Sequence, residues 1–274
     1  MKGTKYLSRL AEKRMRNILA IIAMFACTSI CLGDVGKTRI LDSSNAIHGN
    51  EVAGNSNKND GTSNDNGIFP LDPNNNTLII EDGVRVGAAN GARIDVGSTF
   101  TSMTGNKVIV NGGDFNDKSI LGAYSIALGG DVYVNGNRVE INAGDNINYV
   151  YGGYTENGTA SDNKVFIKNK VTIRRDVYGG FSNTHGDVKN NEVTITGTTV
   201  RGNACGGYAN SNGNAENNKV IINGGRVERN VCGGFVVDNG NATDNTVTVA
   251  GTTEFYYAEA FVLKMDTTHL KAIH

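Results

Sequence analysis

Two aspartates, Asp162 and Asp244, occupy one shared position in a loop that recurs along the chain. Paired carboxylates facing a common cleft are what glycan cleavage needs, one acting as acid and the other as base or nucleophile. The equivalent positions between them hold Asn190 and Asn217, so the acids blend into the pattern. The four histidines, His48, His185, His269 and His274, are dispersed. None shares a unit with a second candidate ligand at metal-binding spacing, and His185 reads as a solvated loop residue. Ser and Asp are plentiful, but no Gly-x-Ser-x-Gly elbow occurs. Arg174-Arg175 is the notable basic pair beyond the N-terminus and reads as a solvated turn. The expectation is no catalytic residue, no cofactor, no metal and hence no enzyme.

Cys205 and Cys232 lie 27 residues apart at a matched position, where earlier units carry Tyr151 and Tyr178. Stacked one coil apart they would be separated by roughly 4.8 Å, within reach of a disulfide. Two small apolar side chains packed in a ladder are the equal alternative. The spacing is not that of a metal site.

These residues are positioned by a repeat. Gly-Gly recurs at Gly152-Gly153, Gly179-Gly180, Gly206-Gly207 and Gly233-Gly234, each 27 residues after the last and each followed by an aromatic: Tyr154, Phe181, Tyr208 or Phe235. A second marker, Asn-x-Val or Asn-x-Leu, begins at Asn76, Asn106, Asn137, Asn163, Asn191, Asn218 and Asn245. Each asparagine opens an alternating run in which Val165 and Ile167, Val193 and Ile195, Val220 and Ile222, and Val247 and Val249 point inward. Lys164, Glu192, Lys219 and Thr246 point outward. Fixed self-similarity of this length marks units that bury their apolar faces only against their neighbours. The fold expected is all-β, a parallel β-helix (β-solenoid) of about 27-residue coils, rather than an antiparallel meander. The earlier asparagine spacings of 30 and 31 residues imply degenerate coils before the regular ones. The asparagines are expected to bond amide to amide up the stack, the aromatics to form a second column, and the glycine pairs to permit positive φ or close backbone approach.

The organisation expected is a signal peptide over residues 1–33, a flexible polar lead-in over 34–75, solenoid repeats over 76–255 and a cap or truncated tail over 256–274. Six Lys/Arg precede the apolar run of residues 18–26, which is short for a membrane span. A lone membrane anchor and a lipoprotein site at Ala26-Cys27 are the competing readings, and translation from Met15 would give a more compact signal. The lead-in, with runs such as Asn55-Ser56-Asn57-Lys58-Asn59-Asp60-Gly61, is too polar for a packed unit and lacks a calcium-loop pattern. In the tail, Ala258, Phe261, Val262 and Met265 follow helical spacing, which predicts a short C-terminal capping helix over the last coil.

Removing six Lys/Arg and one acid with the leader leaves a net charge near −6 out of 26 basic and 27 acidic residues. That disfavours nucleic acid and anionic membrane surfaces as partners, and no stable membrane span remains. The loops 155–162, 182–189, 209–216 and 236–244 would stack along one edge, where a repeat protein meets its partner. A surface glycan or protein is the partner expected.

The units Val177-Tyr178-Gly179-Gly180-Phe181, Asn190-Asn191-Glu192-Val193-Thr194-Ile195 and Asn217-Asn218-Lys219-Val220-Ile221-Ile222-Asn223-Gly224-Gly225 resemble the repeats in passenger regions of bacterial autotransporter adhesins. The resemblance covers roughly residues 76–255. It implies a β-solenoid passenger, export and display at a Gram-negative cell surface, outer membrane-associated or extracellular, with the periplasm as the alternative. Such proteins end in a membrane β-barrel, and the roughly 25 residues after the last recognisable strand leave no room for one. Two other readings stay open: a secreted carbohydrate-active β-helix enzyme, and a fragment of a longer autotransporter.

Overall fold

Alternating Val and Ile side chains form the strands on which the molecule is built, and each strand lies on its counterpart one coil away. Val139, Val165, Val193, Val220 and Val247 are in register, as are Ile141, Ile167, Ile195, Ile222 and Val249. All ten are fully buried. Burying each contributes about 1.5–3 kcal/mol, against about 1–2 kcal/mol of ordering entropy for every backbone residue fixed. A lone coil is therefore marginal, and stacking supplies the stability.

The computed structural model describes residues 38–42, 51–55, 72–128, 130–259, 263–265 and 270–272. Among the described residues there is no helix. The strands form a parallel β-solenoid of about seven turns, with a 17-stranded ladder and a narrower six-stranded one. The leader read at 1–33 and its cleavage site lie outside the described residues. Within the polar segment 34–75, Thr38–Leu41 pairs in parallel with Thr77–Ile80, and Glu51–Asn55 pairs with Ala89–Ile94. The ladders thus extend toward the N-terminus beyond the first asparagine of the repeat.

A regular coil begins on the six-stranded ladder, whose rungs include Ala160–Ser161, Val188–Lys189 and Ala215–Glu216. It turns a sharp corner into the asparagine. Strands such as Lys164–Ile167 follow, then a second corner, then the glycine-pair strand, as in Val177–His185. At the first corner the residue before each asparagine has positive φ: Asn75, Gly105, Gly136, Asp162, Asn190, Asn217 and Asp244. Only Gly, Asn and Asp enter this left-handed region readily.

The asparagine column runs unbroken. Asn191 Oδ1 accepts from Asn163 N at 3.0 Å and from Asn163 Nδ2 at 3.1 Å. Asn191 Nδ2 donates to Ala160 O at 2.9 Å and to Asn218 Oδ1 at 2.9 Å. The same pattern links Asn76, Asn106, Asn137, Asn163, Asn218 and Asn245. These buried amides therefore hold the corner while satisfying their own polar groups.

The glycine pairs are explained by close approach, since none of the eight has positive φ. A Cβ on Gly206 would sit 2.5 Å from Gly233 O and 2.6 Å from Lys219 N. A Cβ on the second glycine would strike the ladder amide: Gly207 against Asn218, Gly234 against Asn245. The pair thus makes the room that the asparagine column occupies.

The tail corrects one expectation. The helical spacing of Ala258, Phe261, Val262 and Met265 does not produce a capping helix. Ala258 lies in the strand Thr246–Glu259, and Met265 lies in Leu263–Met265; Phe261 and Val262 fall outside the described residues. Leu263 stands in register with Val247 and Met265 with Val249, and Leu270–Ala272 pairs with Thr253, Glu254 and Phe255. The period-two pattern of Leu263-Lys264-Met265 prevails because the exposed edge of the last full coil offers a parallel partner.

Candidate functional site

The corner geometry accounts for Asp162 and Asp244. Their φ values are both 56°, beside 55° for Asn190 and 53° for Asn217. A residue that tolerates left-handed backbone is required at that corner, and Gly105 and Gly136 fill it as well as Asn or Asp do. The two carboxylates are exposed and stand three coils apart, so the structure does not bring them together.

Three of the four histidines, His48, His269 and His274, lie outside the described residues. His185 places Nε2 2.7 Å from Asp131 Oδ1, with Thr184 Oγ1 3.3 Å from Nδ1. The Thr184 hydroxyl is already directed to Glu156 O at 2.7 Å and to Asn157 Oδ1, and Gly186 N–H is engaged by Asn212 O. The trio therefore tethers loops across coils. Among the described residues no group of three His, Cys, Asp or Glu side chains is placed to hold a metal.

The four loops read as a contact edge do stack. Asn210 Nδ2 donates to Asn183 Oδ1 at 3.0 Å, and Asn183 Nδ2 donates to Glu156 Oε1 at 2.7 Å. Asn239 bonds Asn212 in the same way, and Asn241 N–H bonds Asn214 Oδ1. The edge is an ordered polar surface built of carboxamide steps.

The aromatics form the expected column. Tyr154 and Phe181 stack with centroids 5.2 Å apart, Phe181 and Tyr208 at 5.3 Å with planes 1° apart, and Tyr208 and Phe235 at 5.3 Å. Below them Tyr124 meets Tyr154 at 5.1 Å, and Arg93 lies over the Tyr124 ring. Phe181 and Tyr208 are stacked on both faces, whereas Tyr124 is tilted at 56° to Tyr154. Burial raises the hydroxyl pKa of Tyr151, Tyr154 and Tyr178, and for Tyr154 the bond to Glu156 adds to the rise. Alongside, Cys205 and Cys232 are joined by a disulfide, with Cα atoms 4.6 Å apart, packed against Tyr178, Tyr208 and Phe235.

A polar cleft of about 460 Å3 opens at the second corner. Its walls carry Lys170, Arg174 and Arg201 beside Asp82, Asp145 and Asn146, and its floor includes Gly112, Gly113 and Gly144. Asn169 and Lys170 both have positive φ and form the rim. Arg174 pairs with Asp117 and Asn146; Asn146 in turn donates to Asp114, which faces Arg85. The backbone N–H of Asn116 and the Asn146 amide hold the Asp114 carboxyl below its ordinary pKa, aided by Arg85 and Arg174. The pair Arg174-Arg175 is therefore split in role: Arg174 enters the cleft network, whereas Arg175 does not line it. The sequence reading missed this cleft. Its signal was the cluster Lys168, Lys170, Arg174 and Arg175 within one unit, but its assembly with Asp82 and Arg201 depends on register across coils.

Compared with known proteins, the chain matches no family model, no curated protein and no solved structure.

Proposed function

We propose that this chain is an exported, non-enzymatic β-solenoid of autotransporter-passenger type, acting in adhesion at a cell surface or as a structural rod. The observation that carries the reading is the fate of the acids at the recurrent loop position. Asp162 and Asp244 share their left-handed corner position with Asn and Gly, so backbone geometry accounts for their recurrence, which supports the non-enzymatic reading. The stacked carboxamide edge offers a wet, repetitive surface suited to a glycan or protein partner. The Cys205–Cys232 bond supports an oxidising destination. No helix among the described residues is long and apolar enough to cross a membrane.

Beads coated with the purified chain test this reading. They are expected to adhere to cell surfaces, with the double variant Asp162→Asn, Asp244→Asn adhering equally well. A glycan-cleaving activity abolished by that double variant, with the melting curve unchanged, would overturn it. The second reading, a secreted carbohydrate-active enzyme, draws support from the shared cleft of Asp82 and Asp145. It requires a cleavage activity that Asp145→Asn removes.

A further inference from the structure

The cleft at the second corner is bounded along the solenoid axis. Ile147, Ile173 and Val200 are in register, and Val200 pairs with Val227. The residues that follow them are therefore Asn148, Arg174, Arg201 and Glu228 on successive coils. Two guanidinium groups lie one coil apart, with a neutral side chain before them and an acid after. Glu228 already pairs with Arg226 at 3.5 Å. Lys170 joins them from the turn between Lys164–Ile167 and Thr172–Ile173, where its backbone is left-handed. Among the described residues neither Lys170 nor Arg201 has a carboxylate within ion-pair distance, whereas Arg174 is partly engaged by Asp117.

We infer that this cleft binds a segment of acidic polysaccharide, with Lys170 and Arg201 taking uronate carboxylates and Asp82 and Asp145 accepting from sugar hydroxyls. This rests on the proposed surface role and gives it a ligand class. Three features select a glycan among anions. The cations share the cleft with carboxylates, Asp82 and Asp145 on the earlier coils and Lys170, Arg174 and Arg201 on the later ones, which suits a ligand rich in hydroxyl donors and sparse in charge and disfavours one with a phosphate at every step. No aromatic side chain lines the cleft, so bases would find no stacking platform. The coil repeat, about 4.8 Å, is close to the length of one pyranose residue, so groups on successive coils meet successive sugars. In a chain whose mature part is acidic overall, Lys170, Arg174 and Arg201 thus gather three cations on one cleft.

The test measures binding of the full chain to polygalacturonate, with neutral dextran and single-stranded DNA as comparison probes. Polygalacturonate is expected to bind with an affinity that falls as salt rises, and the other two to bind at least tenfold more weakly. The double variant Lys170→Gln, Arg201→Gln is expected to lose at least tenfold in affinity without a shift in melting temperature. The control Lys164→Gln, Lys219→Gln, on another face, is expected to bind as the parent does. Unchanged binding in the first double variant, equal binding of DNA, or no binding by the parent would each overturn the assignment. Bead adhesion run in parallel separates the two claims. Adhesion without polygalacturonate binding removes the cleft alone; release of new reducing ends from polygalacturonate removes the non-enzymatic reading and leaves the ligand class.

Discussion

Where the early coils have Ala92 and Ala123, the later coils have Gly153, Gly180, Gly207 and Gly234, and the register aligns them. The facing column of the six-stranded ladder runs Met103, Val134, Ala160, Val188, Ala215 and Ala242, larger at the early end and interrupted by Val188 in the later half. The early coils, spaced by 30 and 31 residues, are roomy enough to pack Ala92, Ala123 and Met103 into one cluster with Ile94 and Val134. The later coils are tighter, and a methyl group at the second glycine would collide with the ladder amide. The outer surfaces differ too. Early coils are pinned by charge: Arg85 with Asp114, and Lys107 and Arg138 with Glu140, while Arg138 also lies 4.0 Å over Phe166. Later coils are pinned by rings and a disulfide. One asparagine column runs through both, so the corner is common and the packing beside it is adjustable.

The largest expected effect tests the tight half. Gly207→Ala places a methyl group against the Asn218 amide, which its bonds to Val188 O and Asn245 Oδ1 hold in place. A loss above about 3 kcal/mol is expected, in the range of severe core substitutions. The reverse change in the roomy half, Ala123→Gly, is expected to cost only about 1 kcal/mol from backbone entropy and a lost methyl contact. Equal melting shifts for the two would break the distinction between the halves. Asn191→Ala should fall next, at about 2–4 kcal/mol, because it strands Asn163 N–H and Ala160 O in the interior.

The asparagine and glycine columns were legible in the sequence because stacking demands one side chain at one position on every coil. The corner acids were harder to read. Positive φ is a backbone property, and its trace is the restricted set of Asn, Gly and Asp preceding each ladder asparagine. The strands Thr38–Leu41 and Glu51–Asn55 sit in a segment whose Asn, Ser and Gly content argues against packing, and they find partners only because an edge is available. The tail shows the same competition, with a helical spacing losing to a waiting strand edge. The cleft was the least visible feature, because Asp82, Asp145 and Arg201 come together only once register is known.

Removal of the disulfide probes the later half alone. Cys232→Ala is expected to lower stability by about 2–4 kcal/mol, with early coils retaining their protease resistance as the temperature rises. Loss of resistance along the whole chain at one temperature would show the two halves unfolding as a unit.

The smallest effects are those of pH, and the two halves weigh acid and alkali differently, although burial raises Tyr124 in the early half as it does the later tyrosines. Burial opposes ionisation of Glu140, yet bonds from Lys107 and Arg138 outweigh it and hold the carboxyl below its ordinary pKa; Asp114 is lowered too. A depressed carboxylate contributes stability above its unfolded pKa, about 4, and the contribution is lost as pH falls through the folded value. The tyrosines run the other way. Burial raises Tyr151, Tyr154 and Tyr178, so their stabilisation is complete below about pH 10 and fades above it, as the unfolded chain ionises first. Acid should therefore loosen the early coils first and alkali the later ones. Asp187, also lowered by Lys189 and Asn214 against the pull of burial, makes the later half partly acid-sensitive and narrows the contrast at the acid end. Brief digestion with pepsin at pH 3 and subtilisin at pH 11, with cut sites mapped by mass spectrometry, reads the order directly. Cuts beginning in the same coils at both extremes would mean that the outer charges and rings are incidental to stability. The shared asparagine column would then be the sole determinant of where the solenoid opens.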